Sequence, residues 1–375
     1  MLILKMDTLF LTLRVFSATG GIEKVCRIAG MALHEIAAEK VGQKLHIFSL
    51  YDEPSDVSDK YFPATIFTGF GKKRGNFMGT AMKQGFQSKM VILSHVNLLM
   101  VGFLIKLVSP KTKLVLLAHG IEVWRTFPAW KKMMLRKCDL ILPVSDFTKH
   151  KMIDLYSLPE DKLITLNNCL DPFLASPHQQ DKDAGLLSQY GIHATDKVIM
   201  SLTRLAYKER YKGYDQVIEA VYQLKETYPS IKYLIVGKYD DKEKERLDNL
   251  IARLSLQKQI ILTGFIPDEA VAAHFNLADL YIMPSQKEGF GIVFIEAMFY
   301  GKAVIAGNMD GSVDALKNGL FGLLVNPSKQ QEITDAIVKV FNNIEKYIPR
   351  HEEVLQYFSY RVYKEKLRAV LGGSI

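Results

Sequence analysis

Two glutamates, Glu288 and Glu296, bracket the stretch of this chain most suited to chemistry, Leu280 to Gly301, which reads LYIMPSQKEGFGIVFIEAMFYG. Leu280 to Met283 is a short apolar run that suits a buried strand, and Pro284 and Ser285 end it. A polar loop then carries Glu288. Gly289 and Gly291 let backbone approach a ligand closely, and Ile292 to Tyr300 reads as a helix stopped at Gly301. With the helix starting near Gly291, Glu296 lies roughly 7.5 Å along it, about a turn and a half inside. The free N–H groups between the two carboxylates point outward and favour an anionic guest. Two hydroxyl-binding acids around an anion cradle suit a sugar nucleotide. A surface loop with one solvated and one core-edge glutamate has the same spacing, so the pattern needs support from elsewhere in the chain.

That support comes from cations. Arg204 and Lys212 follow an apolar run, Lys197 to Ser201, in SLTRLAYKERYKGYDQVI, a loop that also carries Lys208 and Arg210. A diphosphate leaving group gains negative charge as its glycosyl bond breaks, and cations at a strand's carboxyl end would meet it. His119, followed by Gly120 after another apolar run, is a candidate hydrogen-bonding partner for a transferred sugar. Asp146 and His150 are weaker candidates, and Asn168 suits a turn. The one literal DxD, Asp181-Lys182-Asp183, has no strand to fix it, and Asp240-Asp241 precedes a charged helix. Charge compensation is therefore expected from Arg204, Lys212 and helix N-termini, with no metal and no cofactor. No Ser-His-Asp or reactive-cysteine arrangement stands out.

The elements that must position these residues follow an α/β rhythm. Thr8 to Val15 reads as a first strand, Ser17 to Gly21 as a turn, and Ile22 to Ala37 as a helix, the opening of a βαβ unit. The turn lacks GxGxxG, which argues against a dinucleotide dehydrogenase. Gly69 to Gly75 (GFGKKRG) looks phosphate-binding but lacks the GK[ST] ending, and no strand is expected to deliver it, so it reads as a basic loop joined by Lys83 and Lys89. Buried strands are expected at Met90 to Leu93, Lys113 to Ala118, Leu140 to Val144 and Leu163 to Leu166. Residues 172–188 break the rhythm as a linker. A second series follows: Lys197 to Ser201, Lys232 to Val236 (ending on Gly237-Lys238), Gln259 to Leu262, Leu280 to Met283, Ala303 to Ala306 and Leu323 to Val325. Val354 to Leu371, aromatic and basic, reads as one terminal helix that crosses back over the first domain.

The 375 residues fit two domains. Three widely spaced cysteines, Cys26, Cys138 and Cys169, fit a reducing cytoplasmic compartment. The first residues are interrupted by Lys5, Asp7 and Arg14, and no run reaches the ~18 apolar residues a spanning helix needs. The net charge of +8 is uneven: residues 1–180 hold 23 Lys and Arg against 15 Asp and Glu, while residues 181–375 hold 25 of each. Either the excess serves solubility alone, or an anionic surface or substrate meets the first half, with docking at the inner face of an anionic membrane as one expectation and no nucleic-acid partner.

The residues taken together resemble a known family. EGFGIVFIEA is similar to the E-x7-E motif of retaining GT-B glycosyltransferases, especially glycosyltransferase family 4, the glycosyl transferases group 1. Further matches are Gly20-Gly21-Ile22-Glu23, His119-Gly120, Val144-Ser145, Arg204 with Lys212-Gly213, and the AVIAG strand, in the family's order along nearly the whole chain. The resemblance implies an α/β chain of two Rossmann-like doubly wound domains facing a central cleft. Residues 1–175 would form the acceptor-side domain, residues 189–354 the donor-nucleotide domain, and residues 355–375 the returning helix. It also implies metal-independent transfer from a nucleotide-sugar substrate to a hydroxyl of a glycan or lipid-linked precursor.

Carried over, Arg204 and Lys212 would bind the donor diphosphate and Glu288 would face the sugar hydroxyls. Gly289 to Gly291, with Phe290 between them, would offer backbone donors, and Glu296 would hold the ribose. Gly20 and Gly21 would approach the phosphate, and His119 would contact the sugar near the reacting carbon. Gly237 and Ile292 complete the expected donor-binding set. Front-face attack, with the departing phosphate taking the acceptor proton, leaves no protein base to assign. Two departures stand out. The Arg204-to-Lys212 interval is long, so Lys208 or Arg210 could share the phosphate role. The loop after AVIAG reads GNMDGSVDAL where many members carry a glycine pair and a glutamate, leaving Gly311 to Val313 as backbone donors. Two rivals are a sugar-nucleotide epimerase on the same fold and a non-catalytic nucleotide-sugar-binding protein.

Overall fold

Two successions of short apolar strands, most of them followed by a helix, form two parallel sheets. The computed structural model describes residues 7–39, 42–177 and 182–372. The chain divides into two compact units, one of Met1–Asp171 with Tyr360–Ile375 and one of Pro172–Ser359.

The first unit runs β1 (Asp7–Thr12), α1 (Gly21–Ala38), β2 (Leu45–Ser49), β3 (Phe67–Gly69), α2 (Arg74–Gln87), β4 (Ser88–Leu93), α3 (Leu99–Val108), β5 (Lys113–Ala118), α4 (Ala129–Arg136), β6 (Leu140–Pro143) and α5 (Asp146–Tyr156). Its strands lie in the order β3-β2-β1-β4-β5-β6, all parallel. The two-residue period of the strands sorts the core into two layers. Leu9, Leu11, Val91, Leu93, Leu114 and Leu116 face the side packed by α2, α3 and α4. Phe10, Met90, Ile92, Val115 and Leu117 face the side packed by α1.

The second unit runs α6 (Ala184–Tyr190), β7 (Lys197–Leu202), α7 (Tyr214–Leu224), β8 (Ile231–Val236), α8 (Asp241–Arg253), β9 (Ile260–Gly264), α9 (Val271–Leu277), β10 (Leu280–Met283), α10 (Ile292–Phe299), β11 (Ala303–Gly307), α11 (Ser312–Ala315), β12 (Leu323–Val325), α12 (Gln330–Asn342) and α13 (His351–Phe358). The order is β12-β11-β10-β7-β8-β9, again parallel. In each sheet the strand order reverses at one point, between β1 and β4 in the first and between β7 and β10 in the second. Loops leave the carboxyl ends of such a pair in opposite directions and open a crevice for ligand.

Four expectations need correction. Leu163 to Leu166 is not a strand: Ile164 and Leu166 donate to the carbonyls of Ile141 and Pro143, but only the Ile141–Leu163 bridge forms. A parallel ladder would need a return bond from the N–H of residue 143, and proline has none. The loop 69–75 is delivered by a strand after all, β3, and α2 starts at Arg74. The supposed linker 172–188 contains the start of α6, capped by Asp183, whose carboxylate accepts from the Leu186 N–H at 2.8 Å; Asp181 lies outside the described residues. The terminal segment is two helices, because Ser359 is extended (φ −68°, ψ 152°) and separates α13 from α14 (Tyr360–Gly372). Helix α14 belongs to the first unit. It buries Tyr363, Leu367 and Leu371 beside α1 and pairs Lys364 with Glu35 and Arg368 with Glu39, both at 2.6 Å. Among the described residues no helix is long and apolar enough to cross a membrane.

Candidate functional site

In the second unit the adjacency of β7 and β10 brings the basic loop and the acidic loop to one place. Leu280 and Tyr281 pair with Ile199 and Met200, so the loops that leave both strands start side by side. Gly213 makes the approach possible: with φ +86° it begins α7, and a Cβ there would fall 2.3 Å from the Pro284 carbonyl oxygen. The Gln286 N–H donates to the Tyr211 carbonyl at 2.8 Å, tying the two loops together. Lys212 thereby reaches the Glu288 carboxylate and forms an ion pair in which both side chains are largely buried. Burial works against the Lys212 ammonium, but the Glu288 carboxylate more than reverses this, and the lysine pKa lies above its usual value.

Arg204 grips Glu209 with two nitrogens while remaining 69% exposed. Arg210 is committed to Asp215 at 2.8 Å, and Lys208 is exposed. The two cations expected to meet a diphosphate are therefore both held by carboxylates. An incoming dianion would exchange with those carboxylates rather than meet bare charge.

Helix α10 starts from Gly291 at φ +83° and has no side-chain cap, so its first N–H groups remain open to a ligand. The Phe290 side chain is buried against Phe358, with ring centroids 6.0 Å apart, and Ile292 is buried too. Both belong to the core, so only their backbone can face a donor. Glu296 sits inside α10 and is 3% exposed. Gly237, expected to contact donor, is explained by packing: at φ +143° a Cβ would fall 1.9 Å from the Thr203 carbonyl, beside Arg204.

The loop after β11 holds a residue whose role the sequence did not reveal. Asp310 is fully buried beneath the Glu288 loop. Its Oδ2 accepts from the Glu288 N–H at 2.8 Å and from Ser285 Oγ at 2.7 Å, and its Oδ1 accepts from the Ser312 N–H at 2.9 Å. The Gly311 N–H donates to the Glu288 carbonyl at 2.8 Å, and a Cβ on Gly311 would fall 2.0 Å from the Gly289 carbonyl. The N–H groups of Gly311 and Ser312 are thus spent on holding the acidic loop, which corrects their expected role as donors to ligand. Burial outweighs these hydrogen bonds and pushes the Asp310 pKa up to about 6.

In the first unit the expected residues again sit at carboxyl strand ends beside the reversal. Gly20 and Gly21 lie exposed at the start of α1; Gly20 is in the ordinary extended region (φ −170°), where a Cβ would fall 2.5 Å from the Glu23 carboxylate, while a Cβ on Gly21 would meet nothing within 4 Å. The loop that leads to them is anchored by Asp52, which is fully buried and accepts from the N–H groups of Val15 (2.7 Å), Phe16 (3.1 Å) and Ser17 (2.6 Å) and from Ser49 Oγ. Asp52→Ala would strand these donors, and we expect a loss of roughly 3 kcal/mol in urea unfolding; a loss below about 1 kcal/mol would show that water replaces the carboxylate.

His119 follows β5, and its Nε2 lies 2.7 Å from the Ser94 carbonyl. A carbonyl only accepts, so Nε2 carries a proton, and Nδ1 is the ring nitrogen left to face a ligand. That nitrogen is buried and has no hydrogen-bond partner among the described residues, so it is ready for a hydroxyl. Beside it, after β4, His95 uses its Nδ1 to accept from the Asn97 N–H at 3.0 Å. Burial, with His119 and two cations nearby, holds its pKa down at about 4.

Comparison with known proteins points the same way. Residues 186–352 match the family described as glycosyl transferases group 1. The GDP-mannose-dependent alpha-(1-6)-phosphatidylinositol monomannoside mannosyltransferase of Mycolicibacterium smegmatis is 28% identical over 236 residues, 60% of each chain. The alpha-D-kanosaminyltransferase of Streptomyces kanamyceticus is 26% identical over 216 residues, 56% of this chain and 53% of that one. The match thus spans little more than half the length of these curated relatives. Among solved structures, Anabaena HepE in complex with UDP superposes with a TM-score of 0.80 at 19% identity, covering 98% of this chain and 100% of that one. WaaG, a glycosyltransferase involved in lipopolysaccharide biosynthesis, gives 0.67 at 15% identity over 97% and 99%. At these identities the structural likeness establishes the fold, two Rossmann-like domains of the GT-B type.

Proposed function

We propose that this protein is a retaining glycosyltransferase of family 4, a reading supported by the match of residues 186–352 to the glycosyl transferases group 1 and by the GT-B fold. It moves a sugar from a nucleotide donor to a hydroxyl of a glycan or lipid-linked precursor, works in the cytoplasm, and has an anionic membrane surface as a second partner. The observation that carries this reading is the meeting of Lys212 and Glu288 at the β7/β10 reversal, in front of the uncapped start of α10.

In this reading the donor diphosphate displaces Glu209 from Arg204 and Glu288 from Lys212, and lies against the N–H groups that open α10. The released Glu288 carboxylate accepts from sugar hydroxyls. As the glycosyl bond lengthens, negative charge grows on the leaving phosphate, where two cations and a helix N-terminus stabilise it without a metal ion. Glu296 takes the ribose hydroxyls, and His119 Nδ1 accepts from a hydroxyl of the transferred sugar. The acceptor attacks on the face the leaving group departs from and passes its proton to that phosphate, so no side chain acts as base.

A thermal-shift panel of UDP- and GDP-sugars tests the reading. A donor at 100-fold its dissociation constant should stabilise the protein by about 2.7 kcal/mol. Absence of any shift across the panel, together with no transfer to glycan or lipid-linked acceptors, would remove the proposal. Product formed from donor alone would instead indicate epimerisation.

A further inference from the structure

Residues 60–138 carry fourteen Lys and Arg but a single carboxylate, Glu122. This stretch supplies α2, α3 and α4, the helices that cover one face of the first sheet. Gly85 of α2 lies against α3, since a Cβ there would fall 2.5 Å from the Ile105 side chain, and Lys131 of α4 bonds Asn97 Oδ1, just ahead of α3, at 3.2 Å. The three helices therefore present one continuous outer surface.

Its middle helix, α3 (LMVGFLIKLV), is apolar all round apart from Lys106. An inner stripe, Leu99, Val101, Gly102 and Ile105, is buried. A second stripe, Met100, Phe103, Leu104, Leu107 and Val108, follows the same helical spacing on the opposite side. The core uses only part of that second stripe: Met100, Leu107 and Val108 are between 41% and 59% exposed. Phe86 on α2 and Trp130 and Met133 on α4 are similarly exposed, and Lys83, Lys89 and Lys111 stand exposed around them. A helix apolar on both sides normally lies inside a protein or in lipid.

We propose that the α2–α3–α4 face docks on an anionic bilayer. The apolar stripe of α3 enters the headgroup boundary, and the flanking lysines lie among the lipid phosphates. Both halves of the surface fit this occupant: basic residues near an anionic leaflet and large apolar side chains between them are what an interfacial segment requires. Nucleic acid would engage the lysines but leave Leu107, Val108 and Met133 without a role. A second copy of the chain would set two surfaces of the same charge against each other. The inference rests on the proposed function only for its purpose, a lipid-linked acceptor, because docking is read without any transfer.

The test is co-sedimentation of the full chain at low salt with phosphatidylglycerol–phosphatidylcholine vesicles and with phosphatidylcholine alone. Binding is expected only with the anionic lipid and should be released by high salt. Leu107→Glu with Val108→Glu should weaken it at least tenfold, by removing buried apolar groups and adding repulsion. The triple change Lys83→Gln, Lys89→Gln, Lys111→Gln, which leaves the apolar stripe alone, should weaken it by roughly 100-fold. Both variants should keep the donor-induced thermal shift, which shows that they fold and separates failure of docking from failure of the transfer reading. Equal binding to neutral vesicles, wild-type binding by the folded variants, tighter binding to an RNA oligonucleotide than to vesicles, or lipid-free dimerisation abolished by Leu107→Glu would each overturn the proposal.

Discussion

Glu288→Gln is expected to lower the kcat/KM for transfer by about 100-fold or more, the scale seen when one charge-stabilising group is removed from an active site. Its effect on donor affinity should be different. Glu288 neutralises Lys212, and a diphosphate must displace it. Glutamine keeps the shape but not the charge, so Lys212 becomes available and a nucleoside diphosphate should bind at least as tightly as it does to the wild type. The cost appears in stability. Breaking a buried pair by removing one partner typically costs 3–5 kcal/mol, and saturating nucleoside diphosphate should recover most of the loss. Calorimetric binding, unfolding with and without ligand, and steady-state transfer together distinguish this from a merely structural glutamate. For a structural residue, binding, transfer and stability would fall in parallel. Retained transfer would remove Glu288 from the chemistry altogether.

Much of this site was legible from residue types alone. Apolar runs ended by polar pairs located β5, β10 and β12 to the residue, because strands buried on both faces leave continuous hydrophobic runs. The Glu288 loop, the Arg204–Lys212 loop and His119 could be placed at carboxyl strand ends on that basis. The short edge strand β3 was hidden, since three residues, Phe67 to Gly69, give no periodicity to read. The failure of Leu163 to Leu166 to become a strand turns on one missing N–H, at Pro143, on the neighbouring strand. The partners of the cations were hidden for a similar reason. Glu209 and Asp215 are close to Arg204 and Arg210 in sequence, but nothing in the order of residues says that they face them. Buried acceptors were the largest omission. Asp52 and Asp310 look like ordinary loop aspartates, and only their accepted N–H groups, on segments distant in sequence, reveal what they hold.

Asp310 leads to the second large expected effect. Asp310→Asn is isosteric but presents one NH2 group to a ring of donors: the Ser285 hydroxyl and the N–H groups of Glu288 and Ser312. In either amide orientation one backbone N–H faces a donor instead of an acceptor. Losing a buried acceptor costs about 1–3 kcal/mol, and here that strain falls on the backbone of Glu288 or of Ser312, the two segments the carboxylate ties together. We expect kcat to drop by roughly 10- to 100-fold, with the fold retained and donor affinity less affected, as befits a positioning residue. The wild type should show the same dependence through pH. The Asp310 pKa is about 6 in the fold against 3.8 for the free group, so the folded state holds its proton more tightly. Its contribution to stability is therefore present below pH 3.8 and is lost as pH rises toward 6. Activity should run the other way. Below about pH 6 the protonated acid can no longer accept from every donor, the Glu288 loop loosens and kcat falls. In Asp310→Asn that inflection should disappear and the slope of stability between these pH values should flatten. An unchanged inflection in the variant would assign the titration to another group, and wild-type kcat in the variant would show that the acidic loop holds its shape without this carboxylate.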